Sequence, residues 1–332
     1  MDGALLTGGD ILPPDMLHLL FSALVSLTGA QSEPLKAQPP IVIPGGAGKF
    51  DFMNVDAKDR LAFACHPGKS AFVVIDLSTE KVQNVEIGTE VNGIDADPIG
   101  HKVYAAGPGK VLVSVDMKSW KKVGELPLSG PGDSVIFDQT RGVLYVDNDD
   151  GTSLWFVSPK SLKISKTVTI KEAPEVMVLD SGRKRIYQNI KTSNSIQVID
   201  LTSGSVVSEY ALGTLTGPHG LAEDTNDGKL FSVGKNGKLV VVDADSGKIL
   251  TTIDVTKGSD QIAYDASLKR IYIPGTEGLQ TVQVTATGAT VIGSAPCPRG
   301  CHSVTVDPKT HSVWVVYADS SNSYAMKYAA TK

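Results

Sequence analysis

The sequence is short of most features that announce a chemistry. It has three cysteines, three tryptophans and six histidines in 332 residues. No G-x-S-x-G elbow of a serine hydrolase is present, no G-x-x-x-x-G-K-[ST] phosphate loop, and no dinucleotide fingerprint between a strand and a helix. No run of Lys or Arg suggests a phosphate-binding face, and 31 basic against 36 acidic residues leave a net charge of −5. A nucleic-acid partner is therefore not expected, because a phosphate backbone calls for a basic face. The apolar content of 41% is ordinary for a globular chain, and the length fits two average domains or one large all-β domain.

One apolar run stands out, Met16–Ser32, "MLHLLFSALVSLTGAQS". It is too short for a comfortable membrane span and ends in small residues, as a secretory signal does. Residues 16–30 read as a signal peptide, 1–15 as an upstream extension and 31–38 as a linker. An exported protein, periplasmic or secreted and without stable membrane insertion, is expected. The other reading of the run is a packed N-terminal helix.

From residue 39 to 330 the chain repeats itself. Short segments end in an acidic residue and a turn, with final aspartates at Asp56, Asp97, Asp138, Asp180, Asp224, Asp265 and Asp307, spaced by 41, 41, 42, 44, 41 and 42 residues. Five residues after each, a second apolar segment begins, such as "VLYVD" or "RIYIP"; third and fourth strands follow in most repeats. Seven units of four short strands define a β-propeller, each blade burying its faces against its neighbours. The last repeat runs out after its third strand, so "PPIVIPGG", Pro39–Gly46, is expected to complete that blade and close the ring. One such propeller is expected to act as a monomer.

The pattern resembles the YVTN-repeat, or YncE-like, family of seven-bladed propellers. "LYVDN", Leu144–Asn148, is nearest the Tyr-Val-Thr-Asn motif, while "IYQNI", "IYIPG" and "VYAAG" keep its aromatic position. The resemblance implies the fold and, for many members, export. It implies no particular activity, since function resides in a site and not in a scaffold.

Five residues before each repeat aspartate stand Asp51, Asn92, Asp133, Glu175, His219, Asp260 and His302. Every innermost strand lines the axis, so these seven polar side chains are expected to ring one mouth of the central channel. His219, Asp260 and His302, with Asp51 next around the ring, form a nitrogen–oxygen set suited to a divalent metal, zinc by preference, with calcium or copper as alternatives. Glu175 and Asp133 are the candidate acid–base groups. Crowded carboxylates repel, so without a cation some should bind protons more tightly. The competing reading is a polar ring that holds only ordered water.

Around the same mouth the loops contribute Cys65, His66, Asn189, Lys191, Lys235, Glu277, Tyr317 and Asp319, which with Asn92 of the ring would line a pocket, together with "DNDDG", Asp147–Gly151, which reads as a solvated turn. Cys297 and Cys301 are close enough to form a disulfide that braces the loop presenting His302, leaving Cys65 unpaired. A rival cluster of Cys65, His66, Cys301 and His302 would favour copper.

Two functions of different classes follow. The first is metal-dependent hydrolysis of a small ester, lactone or phosphotriester, on an architecture similar to gluconolactonases and paraoxonase-like enzymes. Those propellers have six blades and lack this histidine pair. The second is a non-enzymatic propeller that binds a peptide, glycan or partner protein on its polar face.

Overall fold

The computed structural model describes residues 33–331. The extension and signal expected over residues 1–30 lie outside them.

Seven antiparallel sheets follow one another around a ring, six of four strands and a last one completed by the N-terminal segment. Ile41–Ile43 pairs with the final strand Ser323–Ala330, Ile43 opposite Ser323, as closure requires. Leu35–Ala37, read as linker, is itself a strand against the far end of that final strand, Leu35 opposite Ala330. The reason is in its side chain, since Leu35 is fully buried between the last two blades. Arg60 of the first blade adds an ion pair to Asp307 of the last.

The repeat aspartates are turn formers. Each closes an innermost strand and its carboxylate accepts a backbone N–H two or three residues on, and in most cases both, as Asp138 does from Thr140 and Arg141 at 2.9 and 3.0 Å. Such a side chain satisfies donors that a tight turn would otherwise leave bare. Four residues after every one of the seven, at Arg60, His101, Gly142, Lys184, Gly228, Lys269 and His311, φ lies between 51° and 63°. His101 and His311 are thus turn residues at the end of the blades away from the ring.

Seven residues after each aspartate comes a buried aromatic, Phe63, Tyr104, Tyr145, Tyr187, Phe231, Tyr272 and Trp314. These rings and their aliphatic neighbours form apolar clusters between adjacent blades, for example Phe63 and Phe72 against Val103 and Val113. Burying a large side chain contributes about 1.5–3 kcal/mol, so a wedge repeated at each blade is the main source of cohesion.

Polar staples hold the inner strands side by side. Asp95 accepts from Asn54 Nδ2 of the preceding blade at 2.9 Å and from the Phe137 N–H of the following blade at 2.7 Å. Gln261 spans further, taking the Met53 N–H at 2.9 Å and giving its amide N–H to the Met53 carbonyl at 2.6 Å. Beside these groups the channel encloses about 300 Å³, lined largely by apolar residues such as Ile94, Val135, Ile136 and Val178. Among the described residues no helix is long and apolar enough to cross a membrane.

Candidate functional site at the channel mouth

The ring residues fall at the starts of the innermost strands. Asp133, Glu175 and His219 occupy the second position of strands Gly132–Asp138, Pro174–Asp180 and Pro218–Asp224. Asn92 immediately precedes its strand, and Asp51, Asp260 and His302 lie two, three and two residues before theirs. Asp133, Glu175 and His219 sit where the pairing register of their strands shifts.

Two groupings form. In the first, Lys191 Nζ meets Glu175 Oε1, and His219 Nε2 lies 3.6 Å from the same oxygen. Glu175 and His219 are enclosed, the Glu175 side chain only 8% exposed, while Lys191 is partly open to solvent. His219 Nδ1 is buried without a hydrogen-bond partner. Asp133, also buried, accepts one hydrogen bond from Asn92 Nδ2 at 3.3 Å. In the second, His302 Nδ1 lies 3.2 Å from Asp260 Oδ2 and 3.1 Å from Ser303 Oγ.

Burial sets the protonation of the ring. It pushes Glu175 up to about 7 against the opposing pull of Lys191. It does the same for Asp51, also to about 7, with Lys49 opposing at 3.9 Å. Burial and then the charges of Asp147 and Asp51 hold Asp133 well above the carboxylate range. The two histidines move down. Burial lowers His219, helped by Lys235, and lowers His302 against the attraction of Asp260. Burial works against the charge on Lys191, yet its hydrogen bond to Glu175 raises it overall. The mouth therefore carries carboxyls that exchange protons near neutrality beside a firmly charged ammonium.

The loop residues divide differently from the sequence reading. Lys191 and Lys235 face the ring, and Tyr317 lines a groove of about 430 Å³ with His302, Phe50 and Lys49. Asn189 does not face the mouth. Its amide binds the carbonyls of His219 and Gly220 at 2.9 and 3.2 Å, fixing the backbone that carries His219. His66 is fully buried, stacked on Phe50 and bonded to Asn84 and Ser323, so it latches the ring closure. Cys65 is unpaired and buried among Phe63, Phe72 and Val91, and burial pushes its thiol up. Asp147, read as part of a solvated turn, is fully buried, accepts from the Ser134 N–H and Gln188 Nε2, and is raised by burial to about 8. It was misjudged because a run of acidic residues looks solvated until its first member proves to be a strand residue.

Cys297 and Cys301 form the expected disulfide. This removes Cys301 from the copper cluster, whose other members Cys65 and His66 are already committed elsewhere. Among the described residues no three His, Cys, Asp or Glu side chains converge closely enough to hold a metal ion. The proposed ligands His219, Asp260, His302 and Asp51 are drawn instead towards Glu175, towards each other as one pair, and towards Lys49. Two of the crowded carboxylates face an ammonium group, Glu175 that of Lys191 and Asp51 that of Lys49. Lys49 was missed, since only ring closure reveals that its segment enters the mouth.

The model of the glutamine cyclotransferase family matches residues 64–236. That span contains Asn92, Asp133, Glu175, Lys191, His219 and Lys235, and omits Asp51, Asp260 and His302. In fold the chain is similar to a chain of Kuenenia stuttgartiensis hydrazine synthase. The TM-score is 0.70 at 12% identity, covering 81% of this chain and 92% of that one. At such an identity the likeness is one of architecture. No curated protein matches.

Proposed function

The chain belongs to the glutamine cyclotransferase family, and from that premise we propose that it catalyses acyl transfer at the channel mouth, closing a small substrate's own amine onto its carboxamide carbon. The observation that carries this reading is Glu175, enclosed at the mouth, poised near neutrality and in contact with Lys191, all within the span shared with the family.

The acidic ring attracts an ammonium group, with Asp133 and Asp51 beside Glu175. As a carboxylate, Glu175 takes one proton from that ammonium, freeing the lone pair to attack. A bond forms from amine nitrogen to carbonyl carbon, and Lys191 offsets the negative charge gathering on the carbonyl oxygen. The carbon–nitrogen bond of the amide then breaks. A second proton from the attacking nitrogen goes to the departing nitrogen, which leaves as ammonia and takes up the proton stored on Glu175. His219, buried with its imidazole pushed towards the neutral form, places Nε2 3.6 Å from the Glu175 oxygen that meets Lys191.

Purified protein incubated with glutaminyl dipeptides should release ammonia and yield the cyclised peptide by mass. A panel of an ester, a lactone and a phosphotriester, with and without added zinc, runs beside it. Turnover of the panel alone would replace this reading with metal-assisted hydrolysis, and turnover of nothing would leave a binding propeller.

A further inference from the structure

Outside the span shared with the family, two grooves flank His302. One, of about 430 Å³, is lined by Phe50, Tyr317, Ala318 and Lys49. The other, of about 510 Å³, is lined by Asp260, Thr276 and the disulfide-braced loop with Arg299. They share Gly300 and His302, so they adjoin at His302 and together form one trough. Its charges are unevenly committed. Asp260 is taken by His302, and Asp319 by the backbone of Ser321 and Asn322 and the Tyr324 hydroxyl. Arg299 is exposed and makes no hydrogen bond or ion pair among the described residues, while Lys49 is 72% exposed and 3.9 Å from Asp51.

Resting on the amine-binding reading of the ring, we infer that this trough receives the chain of a peptide whose amino terminus sits at the ring, and that Arg299 selects an acidic side chain in it. The ligand's charges are then the complement of the protein's, an ammonium at the carboxylates and a carboxylate at the rim. The disulfide gives the selection precision, because Arg299 lies inside the five-residue bridge of Cys297 to Cys301 and its backbone is held relative to His302. Tyr317 and Ala318, both partly exposed, supply apolar floor for the intervening residue.

The test uses C-terminally amidated Gln-Tyr-Glu, Gln-Tyr-Gln and Gln-Tyr-Lys, with ammonia release for kcat/KM and calorimetry for Kd. Replacing a repelled lysine by an attracted glutamate at an exposed cation is expected to favour the acidic peptide about tenfold at low salt. The preference should shrink as salt is raised to about 0.5 M, narrow to about twofold in Arg299→Gln and reverse in Arg299→Glu. Equal turnover of all three peptides by the native chain, or a preference unchanged in Arg299→Glu, overturns the trough and leaves the reaction standing. Binding with the expected preference but no ammonia release upholds the trough and overturns the reaction. Neither binding nor turnover overturns both.

Discussion

Glu175→Gln should make the protein more stable while disabling it. The carboxyl moves from an ordinary 4.5 to about 7 on folding, chiefly through burial. The folded state therefore holds this proton more tightly than the unfolded chain, so stability falls as pH rises from about 4.5 to about 7 and then levels. At about 1.4 kcal/mol for each tenfold change in proton affinity, the ionised group costs about 3 kcal/mol above neutrality. That figure already includes the attraction of Lys191, so loss of the ion pair is counted. Glutamine fills the same space without ionising. The variant should match the native chain near pH 4 and melt roughly 6 °C higher at pH 8.5, from the usual scaling of melting temperature for a chain of this size. Thermal unfolding followed by circular dichroism at both pH values reads this directly. Ammonia release should fall by about 10²- to 10⁴-fold, the usual contribution of a general base. A variant no more stable at pH 8.5 than the native chain would refute the account of burial, and activity within tenfold of native would refute the role as base.

The pH profile of kcat/KM should rise through about 7 as the mouth ionises, and Glu175→Gln should lose most of that limb; because Asp51 also titrates near 7, the apparent value belongs to the set. Dialysis against a chelator is expected to leave ammonia release unchanged, and loss restored by zinc would return the metal to the site. Asp138→Ala should cost about 2–3 kcal/mol in denaturant unfolding, since it strips the turn bonds to Thr140 and Arg141 and the ion pair to Arg141; an unchanged midpoint would show the turn to be held otherwise. In unreduced, denatured protein a thiol reagent should label one cysteine, Cys65, and three only after reduction; three at the outset would dismiss the bridge.

What the sequence made legible was whatever repeats. The aspartates that form turns, the aromatic wedges and the ring position all recur about every 42 residues, so seven weak signals add. The site was legible as a set of seven positions but not as a set of contacts. His66 and Asn189 were placed at the mouth by their order in the chain, yet strand residues alternate between faces. Which face each one takes is decided by neighbours in the adjoining blade, Ser323 for one and the His219 carbonyl for the other. The partition of the ring into Glu175 with Lys191 and Asp260 with His302 depends on loop lysines whose reach no spacing encodes.

The closing strand orders events in time. Gly48 donates to Ser323 Oγ across 275 residues of chain, and Ile43, fully buried, pairs with that same serine. During synthesis from the N-terminus Leu35–Ala37 and Ile41–Ile43 must wait for the last strand, with their hydrogen-bonding edges unmet while the intervening blades assemble. Contacts so distant in sequence are slow to form. Once made they are also slow to lose, because releasing the clasp opens a ring whose wedges support one another in both directions. Resistance to proteolysis should therefore hinge on a three-residue strand, and a single charged side chain at Ile43 should shorten the lifetime of the whole circle far more than the same change in an outer strand.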